Sequence, residues 1–117
     1  MSWLPAGRIV SVDWRGGSFP REPTGLRPAI VVDGETFPDD YPNTLVVPFS
    51  RDKTLIDATF TLLIEPTPEN GSAAISWALP HHVTSVSRQR VRPTPSCITD
   101  DQLTDIRQRI ALAIGLV

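Results

Sequence analysis

The sequence predicts a mainly β domain, a small and strongly curved antiparallel sheet or barrel, followed by one C-terminal α-helix. Three features support this. Short apolar runs rich in Val, Ile and Thr alternate with turn-forming clusters along most of the chain. The 12 prolines, about double the usual frequency, lie in or beside those clusters. Helical spacing is confined to the tail. The links between runs are too short for helical crossovers, so neighbouring strands must connect antiparallel.

Taken in order, Arg8 to Trp14 sets Ile9/Val10, Val12 and Trp14 between polar residues, the pattern of a half-buried strand. Gly16, Gly17, Pro20, Pro23 and Gly25 make the next stretch a loop. Pro28 to Val32 is a β-branched run with the look of a fully buried strand. A second loop spans Asp33 to Asn43, and a third strand, Thr44 to Val47, is expected to stop at Pro48. Thr59 to Ile64 and Ala73 to Leu79 are the fourth and fifth candidates, separated by a turn at Pro66, Pro68, Asn70 and Gly71. Val83 to Val91 supplies a short sixth. In the tail, Thr99 is an N-cap followed by Asp100, Asp101 and Gln102, and Leu103, Ile106, Ile110, Ala113 and Ile114 recur at helical spacing. The helix is expected over about 99–115.

At 117 residues and 12.9 kDa the chain has room for one core, so residues 1–117 are expected to form a single domain. Cys97 is the only cysteine, which excludes an intrachain disulfide and a thiolate zinc cluster. The first residues lack the basic-then-apolar layout of a secretory signal, and the longest apolar runs fall far short of the ~20 residues that span a bilayer. A cytoplasmic protein without a membrane partner is the expectation. The net charge of −2 argues, taken whole, against an anionic partner. Its distribution argues otherwise. Residues 31–50 carry four acids and no base, whereas residues 81–95 carry Arg88, Arg90 and Arg92 and no acid. Ten of the eleven basic residues are arginine, whose planar fork suits phosphate better than a flexible ammonium does.

Three constellations could carry chemistry. Glu22 and Arg27 flank Gly25 just before a buried strand, either as a surface ion pair or as an acid and a cation presented by a loop. Ser50 and Arg51 set a hydroxyl beside a guanidinium at the end of a strand, which is also ordinary turn chemistry. His81-His82 offers general acid–base groups near neutrality, or simply a solvated loop pair. Arg88, Arg90 and Arg92 either coat the outer side of a strand or join residues 1–30, which carry four Arg against Asp13 and Glu22, in an anion-binding face.

In combination these pieces resemble the MazF/PemK (Kid) family of toxin–antitoxin ribonucleases. Gly7-Arg-Ile-Val-Ser-Val-Asp13 is similar to the family's opening strand, G-D-[IL]-[VW]-x-V-D. Gly17-Ser18, then Glu22-x-x-Gly25-x-Arg27-Pro28-Ala-Ile-Val-Val, resembles its G-S-E-Q-x-G-x-R-P segment. Val46-Val-Pro48-Phe-Ser50 resembles V-x-P-[IVC]-T, and Val83 to Arg90 falls where the family has [IV]-[KR]-[ST]-[IVL]-D-x-x-R. The likeness implies an SH3-like barrel of the CcdB/MazF/Kid type with a C-terminal helix, acting as a homodimer with no cofactor. It implies sequence-specific, metal-independent cleavage of single-stranded RNA, in which the 2′-hydroxyl attacks its own phosphate to leave a 2′,3′-cyclic phosphate. By position Arg27 would clamp the phosphate, Ser50 would replace the family threonine, and Glu22 would be the acid, base or orienting carboxylate. Arg15, Arg21, Arg51, His82, Arg88 and Arg90 are then candidate RNA contacts. The cognate antitoxin is expected to present an acidic, disordered tail.

The sequence departs from the family at three places. Phe19-Pro-Arg21 is inserted before Glu22, and the usual Gln after that Glu is Pro23. The family's acid-Gln pair is replaced by His81-His82, so His81 either inherits a catalytic role or marks an impaired site. Two other functions stay open. One is a gyrase poison like CcdB, although the chain end Ala113-Ile-Gly-Leu-Val117 lacks the aromatic-Gly-Ile ending on which that action depends. The other is a catalytically impaired nucleic-acid-binding module of the same fold.

Overall fold

The computed structural model describes residues 4–15 and 25–117. Within them seven strands and one helix follow in the order β1 (Arg8–Asp13), β2 (Leu26–Val31), β3 (Asn43–Ser50), β4 (Leu62–Ile64), β5 (Ser76–Ala78), β6 (Thr84–Ser87), β7 (Val91–Cys97) and α1 (Asp100–Ala113). All pairings are antiparallel, in the order β4-β5-β3-β2-β1-β7, with β6 alongside the first half of β3. Of the two forms expected, curved sheet or barrel, the ladders form an open sheet. Its two ends meet through the β4–β5 loop, where the Cys97 N–H donates to the Glu69 carbonyl at 2.9 Å.

The central strands are buried on both faces, which explains their unbroken apolar runs. Val10, Val12, Ala29, Val31 and Val46 pack on one side with Leu4, Val86, Val91 and the partly buried Trp14. Ile9, Ile30, Val32 and Val47 face the other side, where Ile64, Ile98 and the fully buried Ile106 of α1 close over them. Successive residues of β2 and β3 thus enter opposite cores, as the two-residue period of a strand requires.

Two strand boundaries differ from expectation, each for a physical reason. β3 does not stop at Pro48. Its ladder with β2 ends at Ala29↔Pro48, and its ladder with β5 begins at Phe49↔Ala78. The missing proline N–H falls where the strand changes partner, so it interrupts no continuous ladder. The run from Thr59 is not a strand before Leu62, because Asp57 captures it in a turn. Its Oδ1 accepts from the Thr59 and Phe60 N–H groups at 2.8 and 3.2 Å, and its carbonyl accepts from the Thr61 N–H and hydroxyl.

The segment read as one strand over Val83 to Val91 is three pieces: β6, a 3-10 turn over Arg88–Arg90, and the start of β7. β7 is not among the expected strands, and it contains Pro93 and Pro95. It tolerates them as an edge strand, pairing only with β1 and with a register shift between Arg8 and Val10.

The helix forms as expected. Thr99 accepts from the Gln102 N–H while the Gln102 side chain accepts from the Thr99 N–H, a complete capping box. Arg107 and Arg109 do not serve the C-terminal end of the helix dipole. They reach back to the sheet instead: Arg107 Nη2 donates to the Asp33 carbonyl at 2.5 Å, and Arg109 Nη1 to the Thr61 carbonyl at 2.8 Å. The helix is therefore tied to the loop after β2 and to the turn before β4.

Candidate functional site

Arg27 and Ser50 are 23 positions apart in sequence and stand on neighbouring strands. The β2–β3 register runs Val31↔Val46, Ile30↔Val47, Ala29↔Pro48 and ends there. Just past that end, where β3 turns to β5, Trp77 pairs with Ser50 and Val12 of β1 pairs with Arg27. Arg27 and Ser50 both line a groove of about 490 Å³, together with Arg51. Ile9, Phe49 and Ile64 give it an apolar floor, and Ser72, Ser76, Thr94 and Ser96 give it a wall of hydroxyls.

Local hydrogen bonds hold this geometry. Ser50 Oγ accepts the Asp52 N–H at 3.0 Å, which occupies a lone pair and leaves the hydroxyl proton available as a donor to an anion. The buried Asn70 staples the rim: its Oδ1 accepts from the Thr67 and Ser72 N–H groups, and its Nδ2 donates to the Glu65 carbonyl. Gly71 sits at φ +63°, and a Cβ there would lie 2.6 Å from Ser96 Oγ, so only glycine lets the loop lie against β7. Arg27 and Arg51 are exposed at the groove, where a guanidinium keeps its charge at any physiological pH. The arrangement is suited to grip a phosphodiester with two forked cations and a hydroxyl donor.

Other residues singled out from sequence lie elsewhere. Glu22 and Arg21 fall outside the described residues. Arg15 is exposed, in the left-handed region at φ 56°, with its guanidinium 3.7 Å from Asp13. Arg90 is exposed on the 3-10 turn before β7 and does not line the groove.

Arg88 does not coat a strand. Its side chain is 12 % exposed, and Nε donates to the Tyr41 carbonyl at 2.7 Å while Nη2 stands 3.9 Å from Asp33 Oδ2. It belongs to a packed network beneath the acidic loop. The reason is that residue 88 enters a turn, where the alternation of a strand no longer applies.

The histidine pair is also apart from the groove. His81 and His82 end a 3-10 turn (Pro80–His82) packed against α1 and β3. The His81 ring stacks on Phe60 at 5.3 Å between centroids and meets His82 edge-on at 4.5 Å. His81 Nδ1 is buried without a hydrogen-bond partner among the described residues. Neither ring lines the groove that holds Arg27 and Ser50.

Burial, and then the neighbouring His81, lower the His82 pKa below its ordinary value of about 6.5. The linkage follows. Above pH 6.5 both folded and unfolded chains carry a neutral ring, and the contribution to stability is present in full. Below 6.5 the unfolded chain takes up the proton first, so stability falls until folded His82 titrates as well. Urea denaturation at pH 7.5 and 5.5 checks this. His82→Gln should lose less stability than the parent over that interval, and equal losses would refute the assignment.

The groove residues that sequence analysis missed are the hydroxyls of its far wall. Ser72, Ser76, Thr94 and Ser96 come from β5, β7 and the β4–β5 loop, and no local pattern marks them as one surface. Among the described residues no cluster of three His, Cys, Asp or Glu side chains could hold a metal ion, and no helix is long and apolar enough to cross a membrane.

A bent antiparallel sheet with a single packed helix, carrying a groove lined by arginines and hydroxyls, defines a class of small β proteins. Comparison with known proteins narrows the class. Residues 6–114 match the family model of the PemK-like, MazF-like toxins of type II toxin–antitoxin systems, and the chain belongs to that family. No curated protein matches the chain at a significant level. Among solved structures it is similar to MazF from Deinococcus radiodurans, with a TM-score of 0.75, 20% identity, and 97% of this chain and 99% of that chain covered. It is similar also to an endoribonuclease from a mycobacterial species in complex with its cognate antitoxin (TM-score 0.73, 12% identity, 96% and 95% covered). A third is the Mycobacterium tuberculosis toxin MazF-mt6 (TM-score 0.69, 14% identity, 92% and 96% covered). At these identities the likeness is one of fold.

Proposed function

We propose that this toxin is an endoribonuclease that cleaves single-stranded RNA without a metal ion, acts as a homodimer, and is held inactive by a cognate antitoxin with an acidic, disordered tail. The observation that carries the reading is the convergence of Arg27, Ser50 and Arg51 on one groove. Family membership supports it, as does the fold shared with a mycobacterial endoribonuclease bound to its cognate antitoxin.

In the proposed reaction the RNA phosphodiester lies between Arg27 and Ser50. The ribose 2′-oxygen attacks the adjacent phosphorus, forming a pentacoordinate phosphorane, and the bond to the 5′-oxygen of the next nucleotide breaks. The products are a 2′,3′-cyclic phosphate and a 5′-hydroxyl. Charge accumulates on the equatorial oxygens, and a fixed guanidinium with an oriented hydroxyl stabilises it without reorganising. Arg27 stays protonated and acts electrostatically rather than as a base. Glu22, five positions before Arg27, is the proposed proton-transfer group, since the histidine pair packs on the helix instead of lining the groove.

The test is cleavage of an unstructured transcript by purified protein in excess EDTA. Cleavage should proceed, and the 3′ ends should resist ligation through a 3′-hydroxyl until the cyclic phosphate is opened and the phosphate removed. A requirement for divalent metal, or products with free 3′-hydroxyls, would overturn the mechanism.

A further inference from the structure

Beside the groove lies a second hollow, of about 430 Å³, lined by Arg51, Lys53, Ile56, Ile75 and Trp77. We propose that it is a subsite for single-stranded RNA, in which Trp77 stacks on a nucleobase next to the cleaved phosphodiester while Arg51 and Lys53 hold the flanking phosphates. The inference rests on the reading of the groove as an RNA-cleaving site and states where the strand continues.

Four observations place it there. Arg51 lines both hollows, so one backbone can run from the Arg27–Ser50 groove onto Trp77 without leaving a cationic track. Among the described residues no acid lines the second hollow. Asp52, the acid between the two cations, is turned to cap its own 3-10 turn, accepting from the Thr54 N–H at 2.9 Å and hydroxyl at 2.7 Å. The indole is incompletely buried although it sits in the sheet: Trp77 pairs with Ser50 on one side and with the exposed Leu63 on the other, and Ile75 is 52% exposed. An aromatic face with two exposed cations is the recurrent design of single-strand binding, because every base has a π-face and every link a phosphate. The apolar rim alone would also suit a protein partner, but the shared arginine and the absence of acid from the lining favour RNA.

The experiment measures binding apart from cleavage, using a labelled, unstructured 2′-O-methyl oligonucleotide that cannot be cleaved. The parent protein should bind it with quenching of tryptophan fluorescence. Trp77→Ala should weaken binding about tenfold, and Trp77→Phe should recover most of that loss while abolishing most of the quenching. Lys53→Gln, on an exposed turn, should reduce the slope of log affinity against log salt by about 0.7, one phosphate contact on a single strand. If Trp77→Ala does not fold, Trp77→Phe and Lys53→Gln decide the matter. Unchanged quenching in the first together with an unchanged salt slope in the second overturns the subsite. So does unchanged RNA affinity in Trp77→Ala accompanied by a shift in self-association, which would assign the patch to a protein partner. A parent that binds and quenches but cuts no RNA refutes the cleavage reading and leaves the subsite standing.

Discussion

Arg27→Ala should lower the rate of RNA cleavage by about a hundred- to a thousandfold, the usual cost of removing one preorganised donor from a developing oxyanion. Arg27 is exposed on β2 and lines the groove with Ser50, so the change removes charge from the groove and leaves the buried part of the strand, Ala29 to Val31, in place. Single-turnover cleavage in EDTA measures the loss, and a thermal melt beside it should stay within a few degrees of the parent. Arg27→Lys should restore only part of the rate, because an ammonium supplies the charge without the bidentate fork. Activity within threefold of the parent in Arg27→Ala would remove the phosphate clamp from the mechanism. Should Ser50→Ala instead carry the whole loss, the groove would depend on the hydroxyl rather than the cation.

The second large effect concerns stability. Asp33 is 9% exposed, and its carboxylate accepts from the Thr44 hydroxyl at 2.6 Å and the Leu45 N–H at 2.7 Å, with Arg88 3.9 Å away. Its carbonyl accepts from Arg107 of the helix. Asp33→Ala strands a buried hydroxyl, a backbone N–H and a nearly buried guanidinium together. Breaking such a network from one side costs about 3–5 kcal/mol, far more than an exposed ion pair contributes. The melting temperature should fall by about 10–15 °C. Asp33→Asn, which retains an acceptor for the Leu45 N–H, should lose less. Calorimetry checks both, and a loss under 1 kcal/mol in Asp33→Ala would show that water replaces the carboxylate. The two predictions separate cleanly, since Asp33 and Arg88 line a different hollow from Arg27 and Ser50.

The acidic stretch that pulls the net charge to −2 is therefore partly structural. Asp33 is consumed in packing, and Arg88 is consumed with it. Among the described residues, the basic side chains that line the groove are Arg27 and Arg51, with Lys53 in the hollow beside it. A site with so few cations predicts a shallow salt dependence, which is the dependence that the modest net charge suggests.

Much of the molecule was legible because its determinants are local. The capping box at Thr99, the helical spacing through Ile106 and the β-branched runs of β1 to β3 act within a few residues, and each produced the expected element. Family membership was legible as well, since the spacing from Gly25 through Arg27 to Ser50 is written in chain order. Where prediction failed, a non-local partner had decided. Pro48 breaks a strand only if one ladder must continue through it, and here two ladders meet at that residue. Pro93 and Pro95 exclude a central strand but not an edge strand on β1.

Chemistry divides along the same line. Alternation in sequence set Arg88, Arg90 and Arg92 on one face, yet a 3-10 turn rotates Arg88 into a buried network. Imidazole chemistry and the place of the family's acid-Gln pair made His81 a candidate for catalysis and His82 a candidate RNA contact, but their turn packs them on the helix, with His81 against Phe60. The sequence by itself determined the positions of β1 to β3, the helix, the family and the choice of Arg27 and Ser50 as candidate site residues, because short-range spacing encodes these. Only the tertiary structure decided which cations line the groove and which hydroxyls complete its wall. That choice depends on register between strands distant in sequence, and register is fixed by the packing of two cores rather than by any one segment.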